Sequence, residues 1–347
     1  MSEGKRVLVT GAGGFIGSHL VAELKKRGAW VRGVDLKYPE FGSTEADEFE
    51  LLDLRRWDAC LQATRNIEEV YALAADMGGM GFISCNHSQI LHNNILISTQ
   101  TLEAARLNGC RRYLYTSSAC IYPEYLQDKT DVEPLKEEAA YPAQPQDAYG
   151  WEKLITERLC THYREDYGLL THIVRFHNIF GERGTWTGGR EKAPAALCRK
   201  AAVAKLTGNH VMEIWGDGEQ TRSFCYIDDC VEGIIALQAS DFTEPINLGQ
   251  DRMVTINELA LMAAEAAGIS VTLNHIDGPQ GVRGRNSNNS LIERVLGWRF
   301  KVSLEEGMAR TYRWIEDEVK RALESSNQGD ELLRALSSST VVRSALR

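Results

Sequence analysis

The sequence predicts a doubly wound α/β fold, a mostly parallel sheet with helices on both faces, followed by a smaller second part. Three observations predict it. The apolar run Arg6 to Thr10 leads straight into Gly11-Ala-Gly-Gly-Phe-Ile-Gly17 and an amphipathic segment. Strand-like and helix-like stretches then alternate as far as Phe176. An acidic residue, Asp35, closes the second strand-like run. Alternation of this kind builds parallel sheets through crossover connections.

Composition narrows the class. The chain has 347 residues, 43% hydrophobic and 25% charged, as in a water-soluble globular protein with a substantial core. Its 48 acidic and 39 basic residues leave a net charge of −9, which argues against a nucleic-acid partner. No apolar run is long enough to span a membrane. The eight cysteines show no CxxC spacing and no leader precedes Arg6, so reduced thiols and a cytoplasmic location are expected.

Strand, glycine turn and helix (Ser18 to Arg27) form the context in which such a turn binds a dinucleotide. Gly11 permits the tight turn, Gly14 lets backbone approach a pyrophosphate, and Gly17 lets the helix pack closely. The helix N-terminus offers free amides to phosphate. The second strand, Trp30 to Val34, ends in Asp35, which suits a ribose diol and repels a 2′-phosphate. NAD is therefore expected over NADP, although Lys37 is nearby. A third strand, Phe49 to Leu52, presents Asp53 to the adenine amino group. A fourth, Val70 to Ala75, runs into Asp76-Met-Gly-Gly-Met-Gly81 at a ligand-facing strand end. His87 and His92 on the next helix lack partners for a metal set, and no metal is expected.

The next strand ends Tyr115-Thr-Ser-Ser-Ala-Cys-Ile-Tyr122, and in extended geometry Ser118 and Cys120 project to one side. The helix from Asp147 to Tyr167 carries Tyr149 and Lys153, four apart and on one face. An ammonium beside a phenol lowers its pKa, so Tyr149 reads as a proton acceptor for an alcohol that Ser118 also holds. Cys120 beside them is a second proton-transfer candidate. Leu170 to Phe176 is a further strand, after which the alternation weakens. Arg183, Arg190, Lys192, Arg199, Lys200, Arg283 and Arg285 gather in this half of an acidic chain and suggest a diphosphate pocket. The expected division is 1–176 for the Rossmann-like NAD-binding part, with return segments near 220–250, then 177–330 mainly for substrate, and a tail over 331–347.

Longer stretches are more specific. They are Ala74-Ala-Asp-Met-Gly-Gly-Met-Gly-Phe82, Ser117-Ser-Ala-Cys-Ile-Tyr-Pro-Glu124, Pro145-Gln-Asp-Ala-Tyr-Gly150, Arg175-Phe-His-Asn178, Gly188-Gly-Arg-Glu-Lys-Ala-Pro-Ala-Ala196 and Gly281-Val-Arg-Gly-Arg-Asn-Ser287. With them the chain resembles the extended short-chain dehydrogenase/reductase family of NAD-dependent nucleotide-sugar epimerases and dehydratases, and within it the members that act on GDP-mannose. The likeness runs from Arg6 to Trp314, with an echo at Ser339-Thr-Val-Val. Glu182 departs from the family pattern, which usually has Pro there.

The resemblance implies roles residue by residue. Gly11, Gly14, Phe15, Ile16, Gly17, Asp35 and Asp53 would hold NAD, with Tyr149 and Lys153 as the catalytic pair. Cys120 and Lys192 would transfer protons at the sugar ring. Gly78, Ser118, Ala119, Asn178, Glu191, Ala193, Lys200, Gln220, Thr221, Arg222, Arg285 and Ser339 would contact a GDP-hexose. The implied reaction inverts carbons 3 and 5 of GDP-D-mannose, giving GDP-L-galactose and GDP-L-gulose, in a homodimer. Transient oxidation of carbon 4 would acidify both neighbouring carbons. Ala119 lacks the acid that a 4,6-dehydratase needs. The nearest rival, a GDP-4-keto-6-deoxymannose epimerase-reductase such as GDP-fucose synthase, would have His in place of Lys192 and use NADPH, which Asp35 disfavours. A dinucleotide sensor without chemistry would commonly lose Tyr149 or Lys153, and both are present.

Overall fold

The computed structural model describes residues 4–326 and 328–338. In chain order, the elements begin with β1 (Arg6–Thr10), α1 (Phe15–Lys26), β2 (Trp30–Asp35), β3 (Glu48–Leu51), α2 (Trp57–Thr64) and β4 (Glu69–Ala72). Next come α3 (Met80–Ile83), α4 (His87–Leu107), β5 (Arg112–Ser118), α5 (Ala148–Tyr167) and β6 (Leu170–Phe176). They continue with β7 (Ile179–Phe180), α6 (Ala193–Thr207), β8 (Val211–Trp215), β9 (Thr221–Ser223), β10 (Cys225–Tyr226), α7 (Ile227–Ala239) and β11 (Ile246–Leu248). The last are β12 (Met253–Thr255), α8 (Ile256–Ala267), β13 (Thr272–Ile276), β14 (Gly284–Arg285), α9 (Ser290–Leu296), α10 (Leu304–Glu324) and α11 (Gly329–Ser337). No helix among the described residues is long and apolar enough to cross a membrane.

Seven strands form one parallel sheet in the order β11-β6-β5-β4-β1-β2-β3. Its middle strands are covered on both faces, so β1 and β5 are buried along almost their whole length. The order reverses beside β1, where chain connections leave in opposite directions. A crevice opens there at the carboxyl ends of the strands, the place where open α/β sheets take ligands.

Three boundaries differ from the sequence expectation by more than one residue. The first helix begins at Phe15, not Ser18, directly after the glycine turn. The fourth strand stops at Ala72 because the Thr10 hydroxyl accepts hydrogen bonds from the amides of Leu73 and Ala74, each 3.1 Å. The fifth strand stops at Ser118 instead of continuing to Tyr122. The Ser118 hydroxyl accepts the Cys120 amide at 3.2 Å and caps a short 3-10 turn over Ala119–Ile121.

Helix α5 starts at a strong signal. The Asp147 carboxylate accepts the Gly150 amide at 2.8 Å, a cap worth about 1 kcal/mol. Its inner face is unusually polar, with Glu152, Lys153, Thr156 and Glu157 all buried. Glu157 grips Arg175 of β6 through bonds of 2.7 and 2.9 Å, and the Ser117 hydroxyl donates to the same carboxylate. Arg175 also donates to the Tyr122 hydroxyl at 3.2 Å and the Glu137 carbonyl at 2.8 Å. This network fastens β5, β6 and α5 beneath the crevice. Arg175→Met leaves the Glu157 carboxylate buried without its partner, and urea denaturation is expected to show a loss of about 3–5 kcal/mol.

Candidate functional site

A cavity of about 860 Å³ runs from the glycine turn after β1 to the segments around β9 and β14. Its wall contains the expected dinucleotide residues Gly11, Gly14, Phe15, Ile16, Gly17, Asp35 and Asp53. It also contains Gly78, Ser118, Ala119, Cys120, Tyr149, Lys153, Asn178, Glu191, Lys192, Ala193, Lys200, Gln220, Arg222 and Arg285. Thr221 is not in that wall. Side chains alternate along a strand, and its hydroxyl instead donates to the Thr130 carbonyl at 2.6 Å. Ser339 lies outside the described residues.

The dinucleotide end is built by backbone. Gly11 has φ +70, and α1 begins with no side chain capping its free amides. Asp35 accepts the amides of Gly13 at 3.0 Å and Leu36 at 2.6 Å, so it also shapes the turn. That link to Gly13 was not legible from the glycine spacing. Lys37 is engaged with Glu40 at 3.2 Å. Asp53 lines the cavity, but Arg55 bonds both of its carboxylate oxygens and holds it below the usual carboxylate range. This set fits NAD. It offers free amides for phosphates and a carboxylate at the end of β2 for a ribose.

The reactive end is assembled from β5, the turn after it, and α5. Ser118 stands beside Tyr149, and the Lys153 ammonium lies 5.5 Å from the Tyr149 ring centre and 4.7 Å from that of Tyr115. The expected lowering of the phenol pKa is not found. Burial, then the nearby Cys120 and Glu152, push Tyr149 well above its ordinary value, and Ser118 only partly opposes them. Burial also lowers Lys153, against the attraction of Glu152. Desolvation outweighs the ammonium–phenol attraction that the spacing suggested.

Cys120 is half-buried, and an Arg285 N–H points at its sulfur from 3.3 Å. Ser118 and Cys120 do share the cavity, but through the 3-10 turn and not through extended alternation. Lys192 precedes α6 and has no hydrogen-bond or ion-pair partner for its ammonium among the described residues. Burial lowers its pKa, which moves it toward proton exchange near neutral pH.

The gathered basic residues divide sharply. Arg190, Arg199 and Arg283 are paired with Asp76 at 3.0 Å, Glu191 at 2.9 Å and Asp217 at 2.9 Å. They hold loops and are not free for an anion. Arg222 and Arg285 have no carboxylate partner among the described residues, and each bonds only neutral groups of the protein. Burial, then the charge of Arg285, press on Arg222. A guanidinium does not escape by losing its proton, so the pair is poised for an anion. Lys200 is pushed down to about 8, mainly by burial, with its ammonium on the Glu213 carbonyl at 2.5 Å.

Loop contacts that the sequence reading missed position these groups. Asn93 and Gln89 of α4 donate to Asp76 at 2.9 and 2.8 Å, and Arg190 completes the cluster. The Gly79 amide donates to the Arg190 carbonyl at 2.9 Å, so the glycine loop after β4 is tied to the segment that carries Lys192. Glu191 uses its carboxylate on Arg199 and on the Gly189 amide at 2.6 Å. Arg199 in turn donates to the carbonyls of Trp186, Leu336 and Ser338.

Comparison with known proteins places this geometry. The model of the NAD dependent epimerase/dehydratase family matches residues 7–249. A curated GDP-mannose 3,5-epimerase from Arabidopsis thaliana is 52% identical over 322 residues, 92% of this chain and 84% of that protein. The crystal structure of UDP-glucose 4-epimerase with UDP-glucose from Thermotoga maritima superposes with a TM-score of 0.79 at 26% identity, covering 90% of this chain and 99% of that one. The Bacillus cereus UDP-glucuronic acid 4-epimerase, solved with UDP-glucuronic acid and NAD, gives 0.76 at 26% identity with 90% and 99% covered.

One glycine sets the spacing of the reactive end. A Cβ on Gly150 would lie 2.2 Å from the Cys120 carbonyl oxygen and 2.8 Å from Pro145. Neither backbone nor proline ring can yield cheaply. Gly150→Ala is expected to lower stability by about 1–3 kcal/mol in a denaturant titration. It should also lower turnover by about a hundredfold, because Tyr149 moves against Cys120.

Proposed function

Since the chain belongs to the NAD-dependent epimerase/dehydratase family, we propose that it epimerises GDP-D-mannose at carbons 3 and 5, giving GDP-L-galactose and GDP-L-gulose. One observation carries this reading. A Ser118–Tyr149–Lys153 cluster shares a cavity with two further proton-transfer groups, Cys120 and Lys192. A 4-epimerase needs only the first cluster; two inversions beside a ketone need the additional pair. The 52% identical relative bears the same activity in its name.

Residues of the 1–176 part hold NAD, chiefly the Gly11–Gly17 turn and Asp35, and segments from 177–330 hold most of the nucleotide sugar. Bound there, NAD supplies reversible hydride acceptance at carbon 4 and, when oxidised, a positive charge that favours the Tyr149 phenolate. Tyr149 takes the proton of the 4-hydroxyl and later gives it back, with Ser118 steering that hydroxyl. The ketone at carbon 4 acidifies the protons on carbons 3 and 5. Cys120 and Lys192 then serve as the acid and base that remove a proton from one face and return one to the other. Arg222 and Arg285 take the diphosphate, whose charge satisfies two guanidinium groups that the protein leaves without a carboxylate. The protein acts as a homodimer in the cytoplasm, a reading supported by its eight free cysteines only as to compartment.

Three measurements test this reading. Incubation with GDP-mannose in heavy water, followed by proton NMR, is expected to show deuterium at carbons 3 and 5 and new galacto and gulo products. Unlabelled, unchanged GDP-mannose overturns the reading. Cys120→Ala should slow epimerisation by about 10²–10⁴-fold while NADH fluorescence still appears on adding GDP-mannose. Arg222→Met should weaken binding of GDP alone by about tenfold or more in calorimetry, the loss of one charge-assisted contact.

A further inference from the structure

Beside the catalytic lysine stands a carboxylate that the proposed mechanism does not use. Glu152 of α5 is fully buried, at 0% exposure. One of its oxygens accepts the hydroxyls of Ser98 of α4 at 3.2 Å and Tyr115 of β5 at 3.1 Å, and shares that of Thr156 of α5, at 3.3 Å, with the Glu152 backbone carbonyl at 3.1 Å. The other oxygen has no hydrogen-bond partner among the described residues and lies 3.9 Å from the Lys153 ammonium, itself 3% exposed. A buried carboxylate left with one bare oxygen is costly unless a charge nearby compensates it. The three hydroxyls come from two helices and a strand, so the carboxylate cannot swing to a better partner.

We propose that Glu152 is a positioning residue for Lys153: clamped by Ser98, Tyr115 and Thr156, its carboxylate holds the ammonium charged and aimed into the cavity. This rests on the reading of Lys153 as part of the NAD-dependent site. Other groups that act on Lys153 are Tyr115 from β5, Cys120 from the turn after it, and Tyr149, Glu157 and Cys160 from α5 itself. From α4 the clamp receives only the Ser98 hydroxyl. Of the charges that sustain the lysine against burial, Glu152 is the largest. The same carboxylate opposes ionisation of Tyr149.

Removing its charge therefore moves both groups in one direction. In Glu152→Gln the lysine loses its proton at lower pH, and the tyrosine also ionises at lower pH. The pH profile of kcat is expected to move as a whole to lower pH, by about one unit on each limb. NAD affinity of the purified protein, measured by fluorescence titration without sugar, should fall by about tenfold at a pH above the shifted lysine limb. A merely structural glutamate would lower thermal stability and leave the profile in place. Glu152→Asp keeps the charge but withdraws it by one methylene, and should shift the profile the same way by less. It decides the matter if the glutamine variant does not fold. An unmoved profile together with unchanged NAD affinity overturns the assignment. Failure of the wild-type protein to label GDP-mannose in heavy water would sink the proposed reaction instead, and the NAD titration would still judge Glu152.

Discussion

The approach of α5 to the end of β5 is the contact on which the rest of the site depends. Gly150 lies against the Cys120 carbonyl with no room for a side chain. That contact fixes Tyr149, one residue earlier, and Lys153, one turn later, relative to Ser118 and Cys120. The helix can come so close because its inner face is held by polar bonds and not by apolar packing alone. Glu157 and Arg175 fasten it to the sheet, and Glu152 fastens it to α4 and β5. Buried polar networks of this kind have few alternative arrangements. The site therefore inherits its precision from groups outside the cavity wall.

Electrostatics follow from the same burial. Tyr149, Lys153, Lys192 and Arg222 are all shifted chiefly by loss of water. Each shift disfavours the charged form. In the proposed reaction that balance would be corrected from outside the chain: a diphosphate would answer Arg222 and Arg285, and a cationic cofactor would answer the tyrosine. Such a cavity is under-neutralised by its own protein and tuned to the charges of its ligands.

Much of this was legible from the sequence, because the informative spacings are local. A strand, a glycine turn and a helix must be contiguous, so Gly11, Gly14, Gly17 and Asp35 announce themselves. Tyr149 and Lys153 are one turn apart on any helix. What was hidden depends on partners distant in sequence. Gly150 meets Cys120, 30 residues earlier, and nothing in either neighbourhood says so. Arg190, Arg199 and Arg283 looked like anion ligands until their carboxylates appeared. The lowered tyrosine failed because spacing reports proximity but not solvent. The strand expected to continue to Tyr122 failed because a serine hydroxyl can outcompete the ladder for one amide.

The guanidinium of Arg199 joins two stretches far apart in the sequence. On one side it holds Glu191, next to Lys192; on the other it holds the carbonyls of Leu336 and Ser338 at the end of α11. Helix α11 is thus a tether for the cavity as well as a piece of its outer packing. A protease that trims the chain end, or a fusion partner that drags on it, pulls on the segment that seats Lys192, more than 140 residues upstream.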